Sequence, residues 1–198
     1  FEAMAPIARE RGVALDMVSS TNEAPVFGVR DELAQVLQNL IDNAVKYTRD
    51  GTSVLVEVAS DLDLEEARVF TARRWPTAAR ISIVQNRHEP GMRYVAFRVS
   101  DEGLGIDRQH LPRLGERFYR VDEGRDRAVG GTGLGLAIVK HIISRHRGGF
   151  MVESEEGRGS AFGFWIPMIA HPVDADGQSV DTSSGYAALR SSNTSDAA

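Results

Sequence analysis

The sequence contains no cysteine, which excludes a disulfide framework and any thiolate-ligated metal site. That fits a reducing compartment, with the cytosol as the natural default. Long apolar runs are missing as well. No stretch approaches the roughly 18 consecutive apolar residues of a membrane helix, and the opening FEAMAPIARERG lacks the apolar core of a signal peptide. Basic excess is absent too: 23 Lys and Arg face 28 Asp and Glu, for a net charge of −5 and a pI near 5.6. Nucleic-acid affinity comes largely from cations that release counterions, so no nucleic acid is expected as a partner. What is present, 42% hydrophobic and 26% charged residues over 198 positions, suffices for one soluble domain with one good core. The chain opens abruptly inside an amphipathic pattern, as a piece cut from something longer would.

Along the chain, Glu2 to Arg11 hints at a short helix stopped by Gly12, and Val13 to Val18 reads as a strand. Asp31 is a good N-cap for the helix after it. From Glu32 to Tyr47, Leu33, Val36, Leu37, Leu40, Ile41, Ala44 and Val45 recur at helical spacing, which predicts an amphipathic helix. Arg49-Asp50-Gly51 is a turn, and Val54, Val56 and Val58 alternate as a strand. Asp61 to Thr77 has no clean period and is read as an inserted loop or long hairpin end. Strands come next at Ala79 to Gln85 and Met92 to Ser100, joined by a turn over Asn86 to Gly91. A helix spans Leu134 to His146, and a final strand pair, Gly149 to Ser154 and Ser160 to Pro167, is joined by the tight turn Glu156 to Gly159. From His171 onward too few large apolar residues remain to bury, so residues 171–198 read as a disordered tail. Helices segregated from mostly hairpin-joined strands make an α+β two-layer sandwich with a mixed, largely antiparallel sheet.

Three constellations carry chemistry. Asn39, Asn43 and Lys46 sit at i, i+4 and i+7 of the long helix and share one face. The two amides could simply cap neighbouring loops. They could equally serve a phosphate and Mg²⁺ site, since an amide oxygen is a hard neutral ligand and Lys46 a point charge. Asp101 ends a strand and precedes Gly103 and Gly105, glycines that let backbone approach a flat ligand. An acceptor-only carboxylate there suits the exocyclic amine of adenine; a turn-capping aspartate is the plainer alternative. The run Gly130 to Gly135 opens into a helix, so free N–H groups and the positive helix end can meet phosphate. A dinucleotide-binding turn does not fit, because the preceding GERFYRVDEGRDRAVG is polar rather than a buried strand. No Gly-x-x-x-x-Gly-Lys-Ser/Thr P-loop occurs either.

In order, LQNLIDNAVKYT (37 to 48), DEGLGI (101 to 106), ERFYRVDEG (116 to 124), GGTGLGLAIVKHI (130 to 142) and GRGSAF (157 to 162) resemble the N, G1, F, G2 and G3 boxes of the ATP-binding catalytic domain of bacterial sensor histidine kinases. The resemblance runs from about Ala3 to Pro167 and leans towards phosphate-regulon-type sensors. It implies a Bergerat ATP-binding fold over residues 1–170, with the insertion at 61–77 and an ATP lid at about 107–133. It implies ATP and Mg²⁺ as ligands, with Asn43 on the metal, Asn39 beside it, Lys46 and Tyr47 bordering phosphates and base, and Asp101 reading the adenine amine. Gly103, Gly105 and Ile106 would line the base, Arg120 would belong to the lid, and Gly131, Thr132, Gly133, Leu134, Gly135 and Leu136 would wrap the phosphates.

Gyrase, MutL and Hsp90-type ATPases and anti-sigma serine kinases share that fold. In them, the resemblance implies, the position of Asn39 typically holds a Glu acting as general base, whereas an amide takes no proton at neutral pH. A nucleophile needing little activation, such as a histidine imidazole, is therefore expected. None of His88, His110, His141, His146 and His171 lies in a His-Glu/Asp-x-x-x-Pro motif, and all read as ordinary surface or helix residues. The acceptor is expected in a separate helical dimerisation domain of a homodimeric, inner-membrane sensor, with a response regulator downstream. The alternatives are an ATP hydrolase of the same superfamily and a nucleotide-binding interaction module without transfer activity.

Overall fold

The computed structural model describes residues 5–21, 24–72, 74–86, 90–121 and 132–169. In chain order the elements are α1 (Ala5–Glu10), β1 (Ala14–Ser19), α2 (Arg30–Tyr47), β2 (Ser53–Leu62), α3 (Leu64–Ala72), β3 (Ala79–Val84), β4 (Tyr94–Ser100), a short 3₁₀ turn (Leu111–Arg113), α4 (Gly135–Arg145), β5 (Gly149–Glu155) and β6 (Gly159–Pro167). Among the described residues, six strands form one sheet in the order β1-β2-β4-β6-β5-β3. Of their pairings only that of β1 with β2 is parallel; the other four are antiparallel. The mixed, largely antiparallel α+β sheet expected from the sequence is therefore the one formed.

The period-3.6 stripe of α2 buries Val36, Leu40, Ile41, Ala44 and Val45, and α4 adds Val139, Ile142 and Ile143. Both helices pack on the face of the sheet that carries Val54, Val56, Val95, Val99, Phe150, Val152, Phe162, Phe164 and Ile166. Strand periodicity sends the alternate residues of the same strands to the opposite face. There Tyr94, Ala96 and Trp165 form a second cluster with Ala67 of α3. β6 is consequently buried along both faces.

Three local expectations are corrected. The segment read as a loop at 61–77 contains α3, which closes a capping box: the Glu66 N–H donates to Asp63 Oδ1 at 2.8 Å and the Asp63 N–H to Glu66 Oε2 at 2.7 Å. The Asp-x-x-Glu signature is present in the sequence; the helix behind it is only nine residues long and its buried face is mostly alanine and threonine, a weak periodic signal. Asp31 lies in the first turn of α2, where its charge complements the helix dipole; Val29 is the N-cap and makes no side-chain cap bond. The turn over Asn86 to Gly91 does not join neighbours, since β3 pairs with β5 at the sheet edge while β4 lies between β2 and β6. The expected tail at 171–198 lies outside the described residues.

α3 is held at its far end by Glu153, fully buried on the outer face of β5. Its carboxylate accepts the N–H groups of Arg74 (2.9 Å) and Trp75 (2.8 Å) and the Arg80 guanidinium (2.9 Å). Truncating the opposite end with Asp63→Ala removes one cap and is expected to cost about 1 kcal/mol, read as a lower midpoint in urea unfolding. An unchanged midpoint would mean that packing alone fixes α3.

Candidate functional site

Asn39 and Asn43 project from α2 towards the start of α4, and both they and Lys46 are half-buried. A side chain on Gly135 would place its Cβ 3.5 Å from Asn39 Oδ1 and 3.8 Å from Asn43 Nδ2, so the glycine keeps open the space between the two helices. Among the described residues, Asn39 Nδ2 is buried with no hydrogen-bond partner, a costly state for an amide N–H unless a ligand or another group takes it up. That observation disfavours the plain loop-capping role for Asn39. Leu134 caps α4 without a side-chain bond, and the first intrahelical bond runs from Ile138 N–H to Leu134 O. The first-turn N–H groups at Gly135, Leu136 and Ala137 therefore lack intrahelical acceptors and face the same space with the positive helix end. Leu136 also packs against the main core.

Asp101 directly follows β4 and is 3% exposed. Its Oδ1 accepts the Gly103 N–H at 2.8 Å and the Ser160 N–H at 3.2 Å. Burial pushes the carboxyl up to about 6, against a lowering by those two N–H groups and by the Arg74 charge. The turn-capping role of Asp101 is thus real, yet it occupies only one oxygen. The glycine loop after it is tightly enclosed: a Cβ on Gly103 would lie 2.3 Å from Tyr47 O, and one on Gly105, at φ +71°, 2.2 Å from Glu155 O. The Ile106 N–H donates to Ser154 Oγ at 2.8 Å. Tyr47 leaves its ring 46% exposed, with Lys46 Nζ 4.9 Å from the ring centre.

The second glycine cluster is held by Phe118, whose N–H donates to Gly133 O at 3.0 Å. Gly133 sits at φ +69° and a Cβ there would meet the Phe118 backbone at 2.8 Å; Phe118 itself has φ +63°. Just before it, His110 Nδ1 and Tyr119 Oη lie 2.6 Å apart and the Arg113 guanidinium stacks 4.1 Å over the Tyr119 ring. Arg120 is half-buried and Thr132 exposed. Gly130 and Gly131, like most of the glycine-punctuated part of the expected lid, lie outside the described residues.

Sequence reasoning misses several polar groups that support this arrangement. Ser154 and Ser160 are buried, their Oγ atoms 2.9 Å apart, and Thr48 Oγ1 accepts the Glu102 N–H at 3.2 Å. Nothing in their spacing marks them, because they meet only through sheet pairing and the α2–β2 turn. His146 is not the ordinary surface residue that its sequence context suggests. Its side chain is 6% exposed, its Nε2 accepts the Val29 N–H at 3.1 Å and its Nδ1 faces Ile142 O at 2.8 Å. It clips the end of α4 to the N-cap residue of α2.

This geometry has relatives. The family profile for histidine kinase-, DNA gyrase B- and HSP90-like ATPases matches residues 28–170. The phosphate regulon sensor protein PhoR of Haemophilus influenzae is 37% identical over 142 residues, 72% of this chain and 26% of that one. PhoR of Pseudomonas aeruginosa is 40% identical over 135 residues, 68% of this chain and 24% of that one. The sensor histidine kinase WalK of Bacillus subtilis is 34% identical over 138 residues, 70% and 18% of the two chains. The chain thus spans about a quarter or less of the length of these curated relatives. Among solved structures, full-length ShkA in complex with AMPPNP superposes with a TM-score of 0.59 at 28% identity, covering 85% of this chain and 28% of that one. The catalytic domain of histidine kinase ThkA matches in fold at a TM-score of 0.57 and 22% identity, over 84% and 86% of the two chains. No helix among the described residues is long and apolar enough to cross a membrane. The chain belongs to the family of histidine kinase-, DNA gyrase B- and HSP90-like ATPases and carries the catalytic-domain fold of the sensor histidine kinases.

Proposed function

We propose that this domain binds Mg²⁺-ATP between α2, the Asp101 loop and the start of α4, and donates the γ-phosphoryl group to a histidine on a separate helical dimerisation domain. From there a response regulator would take it. The observation that carries this reading is the coincidence, on one side of the sheet, of a buried carboxylate with one oxygen to spare and an uncapped helix start facing two asparagines. Oδ1 of Asp101 is engaged by backbone, so Oδ2 meets the ligand's donor; adenine offers an amine there and guanine a carbonyl. Gly103, Gly105 and Ile106 form the wall beside the base, with Tyr47 at the rim.

At the other end, Gly133, Leu134, Gly135 and Leu136, together with Thr132 and Gly131, would enclose the phosphates, with Lys46 and Arg120 supplying positive charge. Asn43 would hold Mg²⁺ through its amide oxygen, with Asn39 orienting a water of the metal's shell. The orphaned Asn39 Nδ2 is a donor and fits a phosphate oxygen, while the amide oxygens of Asn39 and Asn43 are the atoms suited to a hydrated ion. When bound, the ion would neutralise charge on the phosphate oxygens. Asn39 offers no base, so the chain's own contribution is binding and orientation, and the transfer suits an imidazole acceptor already nucleophilic at neutral pH. The ShkA complex with AMPPNP and the sensor-kinase relatives support this reading.

Calorimetry in the presence of Mg²⁺ tests it: wild type should bind ATP, and Asn43→Ala should bind at least about tenfold more weakly, with the difference vanishing when Mg²⁺ is chelated. Equal binding by both proteins would remove Asn43 from the metal. Adding the cognate helical domain should produce acid-labile phosphohistidine. Brisk ATP hydrolysis by the isolated chain would favour a hydrolase instead, and ATP binding without any transfer a pure interaction module.

A further inference from the structure

The turn between α2 and β2, in the sequence no more than a turn, reaches across to both glycine turns that border the base. The Arg49 side chain donates from one terminal nitrogen to Gly103 O at 3.1 Å and also to Gly157 O. Around it, Thr52 Oγ1 donates to Arg49 O at 2.6 Å and shares a 2.8 Å hydrogen bond with Thr48 Oγ1, which in turn accepts the Glu102 N–H at 3.2 Å. Ser53 Oγ donates to Glu102 Oε1 at 3.3 Å. The Gly157 N–H closes the circuit on Leu104 O at 2.7 Å.

We infer that Arg49 is a positioning residue for the adenine end of the pocket, acting by clamping the Gly103 peptide and the Gly157 turn together; this rests on the ATP reading given above. The residue it grips is the one that matters: Gly103 is held by its carbonyl on one side and on the other donates its N–H, from the preceding peptide, to Asp101 Oδ1. Fixing the carbonyl of residue 103 and the turn at 157 also fixes the backbone between Gly103 and Gly105 against the Glu155 carbonyl, with no room to shift towards β5. A loop that must present a flat wall and a correctly turned carboxylate gains affinity when it is ordered before the ligand arrives. Both carbonyls are served by one terminal nitrogen whose two N–H directions are fixed in the guanidinium plane, whereas a lysine ammonium turns freely and loses more freedom in making the same two bonds, so lysine performs only part of the task. Arg49 is itself exposed and sits outside the apolar core, so its loss leaves the fold intact.

The test compares ATP with adenosine, in competition against a fluorescent nucleotide, on the 198-residue chain. Arg49→Ala is expected to weaken both ligands by the same factor, roughly tenfold, while the thermal unfolding midpoint without ligand stays near that of wild type. Arg49→Lys should recover part of the loss, and millimolar methylguanidinium should restore Arg49→Ala but not alter wild type. Arg49→Gln provides a second neutral variant should the alanine protein fold poorly. Unchanged affinity in both neutral variants overturns the inference. So does a loss confined to ATP, which would place Arg49 at the phosphates, or a loss that neither lysine nor methylguanidinium repairs. Failure of the wild-type chain to bind either ligand would instead bring down the pocket reading on which this one stands.

Discussion

Asp101→Asn is expected to abolish measurable adenine binding and, at pH 8, to make the fold more stable rather than less. Asparagine keeps an oxygen for the Gly103 and Ser160 N–H groups but turns a donor towards the ligand, where the adenine amine is also a donor; a loss of at least about 100-fold is expected from one buried donor–donor clash. The stability sign comes from the carboxyl's rise from 3.8 to about 6, caused chiefly by burial. A group raised on folding contributes stability that is fully present below its unfolded value and is lost as pH rises through its folded value. Over that span the ionised form costs roughly 3 kcal/mol, a net figure in which the two backbone bonds to the carboxylate are already included. Urea unfolding should therefore find Asp101→Asn up to about 3 kcal/mol more stable at pH 8, with most of the advantage gone near pH 4. Wild type should in turn lose affinity for adenosine as pH falls through about 6, since the protonated carboxyl no longer accepts from the base and adenosine carries no phosphate to titrate. A variant that is less stable than wild type at pH 8 would mean that the carboxylate's bonds outweigh its burial.

Gly105→Ala should be the most damaging single methyl in the site. Its Cβ would lie 2.2 Å from the Glu155 carbonyl, on a backbone held at φ +71°, so both the loop and the end of β5 would have to move. The expected cost is about 2 to 4 kcal/mol of stability together with loss of ATP binding. Gly157→Ala is the matched control, at φ +82° with open space around the added methyl; it bears only the backbone penalty of about 1 kcal/mol. Similar unfolding midpoints and affinities for the two variants would show that close approach at Gly105 is unimportant.

The parts of the pocket legible in the sequence share one property: their chemistry is local. Asn39, Asn43 and Lys46 are related by helical spacing, Asp101 by its strand and the two glycines after it, Gly133 and Gly135 by the helix they precede. α3 is hidden because a nine-residue helix with an alanine and threonine face gives almost no hydrophobic period, although its capping box is written in plain order at Asp63 and Glu66. The β3–β4 link misleads because sequence adjacency suggests pairing, whereas β6 and β5 lie between the two and β3, at the far edge, pairs with β5. The second face of the sheet is visible in outline, since Tyr94, Ala96 and Arg98 alternate with Val95, Phe97 and Val99, but nothing in that alternation tells that both halves are covered by helices.

By itself, then, the sequence determined the identities of the candidate binding groups and their local presentation, because helix and strand periods are properties of neighbouring residues: the amide face of α2, the carboxylate after β4, the glycines that leave room for backbone. Only the tertiary structure decided how those pieces are aimed. It buried Asp101 until its carboxyl resists ionisation, set the asparagines against an uncapped α4, and brought Arg49 and Gly157 from distant parts of the chain onto one loop. Those distances depend on strand order and register, which arise from packing between residues far apart in sequence.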